Sequence, residues 1–227
     1  MKTVLLTRPT AQSQRFAATL GPEFQVIVSP LLEIIYTSGP SDTGAAQAVV
    51  FTSSNGVSGW VQRNGPTNLP AFCVGERTAD SAIRAGFSVP AVAETLATLA
   101  PLIAAVTTAP LLHIRGTHVS GDITVLLPAH QITTCITYEA RATPLSTDAH
   151  TALSTGQIDM IPVFSPRTAH RLVAERADSW QIDNTRLCAI SPATADALKT
   201  FGQSRIQIAE QPNAASILAM LRCDSAQ

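Results

Sequence analysis

The sequence predicts an α/β protein of two similar doubly wound parallel-sheet lobes, joined by an extended linker of two segments, with a ligand cleft between the lobes. Three observations carry this prediction. Short apolar runs alternate with helical patterns from end to end, the alternation repeats once within the chain, and small polar residues recur where runs pass into helices. Alternating strands and helices imply parallel pairing, because a parallel strand must be reached by a crossover.

The strand candidates are 3–6, 25–28, 48–51, 71–74, 111–114, 131–138, 160–164, 187–190 and 205–209. Between them lie segments with helical spacing. Leu96, Leu99, Ile103 and Val106 form one apolar stripe. Ala214, Ile217, Leu218 and Leu221 form another at i, i+3, i+4 and i+7, the spacing of a helix face. Both stripes read as core. The uncharged stretch 95–112 contains Pro101, Pro110 and four threonines, and fits a buried amphipathic helix and a loop better than a membrane span.

The repeat sets the domain organisation. VVFTSSNGVSGWV from Val49 resembles IPVFSPRTAHRLV from Ile161, and FCVGERTADSAIRAGF from Phe72 resembles LCAISPATADALKTFG from Leu187. TVLLTRP from Thr3 resembles PLLHIRG from Pro110, matching Arg8 to Arg115 at an offset of 107. Phe51 matches Phe164 at an offset of 113, and Thr78-Ala79-Asp80 matches Thr194-Ala195-Asp196 at 116, a drift that one loop insertion explains. Each half therefore holds three strand–loop–helix units in register. SPLLEIIY from Ser29 and ITYEAR from Ile136 are the extended crossing segments.

Composition excludes several classes. Hydrophobic residues make up 45% and charged residues 14%, which gives ample core material and rules out disorder. A net charge of −1 provides no general pull toward nucleic acid or an anionic membrane. Cys73, Cys135, Cys188 and Cys223 form no CxxC pair and read as reduced thiols packed as small hydrophobes. The five histidines show no HxH or HExxH spacing, so no zinc site is expected. No GxGxxG, Walker loop or GxSxG elbow is present. The first residues, MKTVLLTR, lack the apolar stretch of a signal peptide, and the protein is expected to be cytoplasmic.

In open α/β sheets ligands bind at the carboxyl ends of strands, where the first N–H groups of each helix are free and carry partial positive charge. Six such corners are marked by Thr7-Arg8-Pro9-Thr10, Thr52-Ser53-Ser54-Asn55, Gly75-Glu76-Arg77-Thr78, Arg115-Gly116-Thr117, Ser165-Pro166-Arg167-Thr168 and Ser191-Pro192-Ala193-Thr194. Taken singly each is an ordinary helix cap. Together they describe donors and arginines suited to a ligand with many carboxylates or phosphates. Tyr138, at the second crossing segment, is a candidate hydrogen-bond donor.

The ordered set VFTSSNGV, CVGERTADSAIRAGF, LLHIRG, YEA, VFSPRTA, CAISPATADAL and AEQPNAASILAML resembles uroporphyrinogen-III synthase over essentially the whole chain. The resemblance implies a discontinuous first lobe of residues 1–32 and 143–227, a second lobe of 40–135, and linker segments 33–39 and 136–142. It implies a cofactor-independent, metal-independent hydro-lyase that closes hydroxymethylbilane to uroporphyrinogen III, with loss of water and inversion of the last ring. It also implies a monomer that acts on a small molecule, touches neither nucleic acid nor membrane, and meets the preceding pathway enzyme transiently. The binding residues it implies are Arg8, Thr52, Ser53, Asn55, Gly75, Thr78, Arg115, Gly116, Ser165, Arg167, Thr168, Ser191 and Thr194, with Tyr138 assisting departure of the hydroxyl. Thr117-His118, Glu76 and Arg77 depart from residues common at those corners of the family. The alternative reading is a non-catalytic two-lobed module that binds a polycarboxylate.

Overall fold

A computed structural model describes residues 1–118 and 121–223. In chain order the elements are β1 (Lys2–Leu6), α1 (Thr10–Ala17), β2 (Phe24–Val28), β3 (Leu32–Tyr36), β4 (Ala48–Phe51), α2 (Ser54–Gln62), β5 (Ala71–Val74) and α3 (Glu76–Arg84). Then follow β6 (Ala91–Ala93), α4 (Leu96–Val106), β7 (Leu111–Gly116), α5 (Ile123–Leu126), β8 (Ile132–Ala142) and α6 (Thr147–Ser154). The last are β9 (Met160–Val163), α7 (Pro166–Ala174), β10 (Arg186–Ala189), α8 (Pro192–Ala197), β11 (Ile206–Ile208) and α9 (Ala214–Cys223).

The chain forms two compact units, residues 1–33 with 141–227 and residues 34–140; of the first, residues 224–227 lie outside the described part. The first unit holds a sheet in the order β11-β10-β9-β1-β2, with all recorded pairs parallel. The second sheet runs β3-β8-β7-β4-β5-β6, and its pairs from β8 to β6 are parallel. Laid side by side, β6-β5-β4-β7-β8 and β11-β10-β9-β1-β2 are the same order, so the repeat in the sequence is a repeat of topology. β3 adds an edge to the second sheet. Hydrogen bonds Thr37 N–H to Thr137 O (3.0 Å) and Thr143 N–H to Leu31 O (3.1 Å) tie β3 and β8 together, with residue numbers rising on one side as they fall on the other. That is antiparallel pairing.

Each sheet is covered on both faces. Around the first, Leu153, Leu172 and Ala195 pack from α6, α7 and α8 on one face, and Phe16, Ile217 and Leu221 from α1 and α9 on the other. Around the second, Val57, Trp60, Ala79 and Ala82 of α2 and α3 oppose Leu99, Ile103 and Ile123 of α4 and α5. Covering both faces is what parallel strands require, and it explains why β4 and β9 are buried at every position.

Four details depart from the sequence pattern. β6, a three-residue strand, escaped notice because so short a run carries no period. β8 runs on to Ala142, beyond the predicted end at residue 138, so Tyr138 lies inside the strand and not at its end. Pro101 sits within α4 and does not interrupt it; it lies on the exposed face, as does Ala97, whose carbonyl is freed to water. The apolar stripes fade at their ends, because Val106 is 60% exposed and Ala214 is exposed. Of the cysteines, Cys73 and Cys188 are buried, while Cys135 is half-buried and Cys223 exposed. Burial pushes the Cys73 thiol up to about 12 and that of Cys188 to about 11, so both stay protonated. No helix among the described residues is long and apolar enough to cross a membrane.

α2 lies close to β7 and β8 because Gly56 and Gly59 present no side chain to them. A Cβ on Gly56 would meet Ile114 O at 2.9 Å, and one on Gly59 would meet Thr137 Cβ and O at 2.7 Å. Gly59→Ala is therefore expected to destabilise the protein by about 1–3 kcal/mol, the usual range for overpacking. Urea unfolding of the variant beside the parent checks this.

Candidate functional site

In each sheet the connections run in opposite directions from one point. In the first unit β1 leads toward β2 and β9 leads toward β10, so the order reverses between β1 and β9. In the second it reverses between β4 and β7. Loops leave these neighbouring strands toward opposite faces, opening a crevice that is the usual ligand position of such sheets.

At the first switch point Arg8 follows β1, and its guanidinium lies 4.2 Å from the centre of the Phe164 ring, a cation–π arrangement. Its Nε–H donates to Gln12 Oε1 at 3.1 Å. The N-terminus of α1 has no side-chain cap. Thr7, at the end of β1, is fully buried with a hydroxyl that lacks a partner among the described residues. Beside it, Ser165 caps α7 by accepting from Thr168 N–H at 3.1 Å, and its hydroxyl lies 2.9 Å from that of Thr168. Arg167 occupies the first turn of α7. Ser191 repeats the arrangement at α8, accepting from Thr194 N–H at 3.3 Å and lying 3.0 Å from the Thr194 hydroxyl. Thr168 and Thr194 are themselves buried, so they brace the serines from beneath.

At the second switch point Thr52 and Ser53 follow β4. Ser53 caps α2, its Oγ accepting from Asn55 N–H at 3.2 Å. Gly75 opens α3 at φ +80° with no side-chain cap, a left-handed conformation that favours glycine. Thr78, one turn on, is buried. Arg115 and Gly116 end β7, where Arg115 Nη1 donates to the carbonyls of Gly116 and Thr117. Register slips between Arg115 and Gly116, so that Gly116 pairs with Tyr138. A Cβ on Gly116 would meet Tyr138 Cε2 and Cζ at 2.7 Å. The phenol ring therefore lies directly against the Gly116 backbone, and only glycine leaves it that space.

The predicted residues thus fall into two groups. Arg8, Ser165, Arg167, Thr168, Ser191 and Thr194 gather on the first unit, and Thr52, Ser53, Asn55, Gly75, Thr78, Arg115, Gly116 and Tyr138 on the second. Sequence reasoning missed Phe164 as the platform for Arg8, and it weighed His113 only as a zinc ligand. The signal for His113 was a polar residue inside the buried run LLHIRG. Its ring is 2% exposed, and burial, then the Arg115 charge, push its pKa down to about 4 against an opposing pull from Asp122. Hydrogen bonds from Thr124 hold the Asp122 carboxyl below the usual range. Among the described residues no three His, Cys, Asp or Glu side chains gather as a metal site would need. A small apolar pocket between Ile161, Trp180, Leu187 and Phe201 lies toward the starts of β9 and β10, at the opposite end of the sheet from the corners.

Duplicated doubly wound units with capped polar corners at both switch points define a two-lobed α/β protein. A family model described as uroporphyrinogen-III synthase HemD matches residues 15–219. The chain belongs to the uroporphyrinogen-III synthase family. Among solved structures, the uroporphyrinogen-III synthetase from Helicobacter pylori 26695 is similar at a TM-score of 0.70 and 18% identity, over 97% of this chain and 98% of that one. A mutant uroporphyrinogen III synthase from the extremely thermophilic bacterium Thermus thermophilus matches at a TM-score of 0.59 and 15% identity, over 100% of both chains. At these identities the two likenesses speak for the fold. No curated protein gives a significant match.

The buried His113 has a consequence for stability. The folded ring holds its proton only below about 4, against about 6.5 for an ordinary histidine, so between those values the unfolded chain binds more protons. Stability is therefore expected to fall as pH drops from about 6.5 to about 4 and to lose part of that slope in His113→Gln. Thermal melts of the two proteins at stepped pH check this.

Proposed function

We propose that the protein converts hydroxymethylbilane to uroporphyrinogen III, as a cytoplasmic monomer without metal or cofactor. The family match over residues 15–219 is the observation that carries this reading.

The substrate bears eight carboxylates on a linear tetrapyrrole. A protein of net charge −1 must meet them with local donors, because its overall field does not attract anions. The corner residues supply such donors. Arg8, Arg115 and Arg167 bring guanidinium groups, and Ser53, Ser165 and Ser191 bring helix starts with partial positive charge. Thr52 and Asn55 add side-chain donors, Gly75 adds close backbone approach, and Thr78, Thr168 and Thr194 hold their turns in place. In this reading the corners of both lobes serve one substrate, with residues 33–39 and 136–142 as the linker.

The reaction makes modest demands on the protein. The terminal hydroxyl leaves as water after taking a proton, for which the Tyr138 phenol is the donor. The resulting azafulvene is attacked by the substituted α-carbon of the far ring, giving a spiro centre. The bond from that carbon to its original bridge breaks and reforms at the free α-position, and the ring proton lost there restores the balance. The pyrroles supply the electrons. The protein folds the chain, orients one ring and steadies transient charge. Gly116 keeps Tyr138 in reach, since any side chain there displaces the ring.

Freshly made hydroxymethylbilane, followed by oxidation and separation of isomers, tests the proposal. Spontaneous closure gives isomer I, so an excess of isomer III supports the reading, and isomer I alone overturns it. Tyr138→Phe is expected to lower the rate by about 10²-fold or less, the low end for a single general acid, because the hydroxyl also departs spontaneously. Gly116→Ala should approach the same loss in a folded protein. A Tyr138→Phe enzyme with an intact fold and no activity contradicts the donor role.

A further inference from the structure

The second switch point holds a buried ionisable side chain for which the proposed reaction has no use. His113 lies in β7 beside Val50 of β4, enclosed by the core. Alternation along the strands places it with Leu111, on the face that α4 and α5 cover, and Thr52 follows Val50 on that same face. The His113 Nε2 comes within 3.5 Å of Thr52 Oγ1. Its ring is neutral near pH 7, so it offers one N–H and one lone pair.

The fold does not ask for a histidine here. The position matched by the repeat at an offset of 107 is Leu6, also fully buried, so an aliphatic side chain fills this place in the related lobe. Ser53 and Ser165 cap the corresponding helices α2 and α7, which puts Phe164 of that lobe at the place of Thr52. The histidine thus stands where the corner carries a hydroxyl, and the leucine where it carries none.

A carboxylate accepts hydrogen bonds and cannot donate them, and a threonine hydroxyl has a single proton to give. If the imidazole carried its hydrogen on Nδ1, Nε2 would draw the Thr52 proton inward and leave lone pairs facing the ligand. With hydrogen on Nε2, the ring donates to Oγ1 and the Thr52 proton stays available. We propose that His113 is a positioning residue, its Nε2–H holding the Thr52 hydroxyl so that its proton meets a substrate carboxylate. The proposal rests on the synthase reading, in which Thr52 contacts substrate.

A double-mutant cycle separates this role from plain packing, because groups that act through one another are not additive. The variants are His113→Leu, which installs the side chain of the repeat, Thr52→Val and the pair together, assayed by kcat/KM for isomer III. His113→Leu should lower kcat/KM about 10-fold, the scale of one hydrogen bond to a charged group, and mainly through KM. In the Thr52→Val background the same change should matter less than about 2-fold. His113→Gln, which keeps an N–H donor, should recover most of the loss, and His113→Met, which has none, takes the place of the leucine variant in the cycle if that protein does not fold. Equal losses with and without Thr52, no loss at all, or ring nitrogen NMR placing the proton on Nδ1 overturns the proposal. Wild-type protein that forms no isomer III fails the synthase reading instead, and that outcome is seen before any variant is compared.

Discussion

Parallel strand pairing is the constraint on which the rest of this structure depends. A parallel strand cannot be reached by a tight turn, so every strand must hand the chain to a crossover, and both faces of the sheet become covered. Where successive crossovers run in opposite directions, between β1 and β9 and between β4 and β7, the loops part and leave backbone donors uncovered. The corners are a consequence of topology before they are a matter of side chains. That is why the same strand order in two units produces two sets of similar corners.

Within that common frame the two units are finished differently. The first relies on Ser–Thr pairs, in which a buried threonine fixes the hydroxyl of the capping serine at α7 and again at α8. The second uses Ser53 as a cap, a left-handed Gly75, and a histidine beneath Thr52. Arg8 lies against Phe164, whereas its repeat mate Arg115 folds back onto the carbonyls of Gly116 and Thr117. One arrangement thus occurs twice with different groups facing outward. Where β7 meets β8, a slip in register brings Tyr138 onto Gly116.

Arg63 shows how the second unit secures its edge. Following α2, its guanidinium donates to the carbonyls of Thr37 (2.7 Å), Pro40 (3.2 Å) and Ile136 (2.6 Å), and to the Thr37 hydroxyl (2.6 Å). β3 is a short edge strand, and edges tend to fray. A planar group with five donors is suited to gather carbonyls from two neighbouring strands. Nothing in the local sequence marks Arg63 for this, since its partners lie 23 to 73 residues away.

By itself the sequence determined the α/β class, the duplication and the corner positions. Each depends on local or repeated patterns, namely apolar period, strand-to-helix alternation and capping residues such as Ser53, Ser165 and Ser191. Tertiary structure alone decided which corners are neighbours, because pairing order is set by long-range packing that no local pattern encodes. It also decided that Thr168 and Thr194 point into their own turns, that the Tyr138 ring rests on Gly116, and that His113 reaches Thr52 across 61 residues of chain. The reason is physical: local signals report the conformation of a few residues, while the partner of a buried polar group is chosen by whichever strand the sheet places beside it.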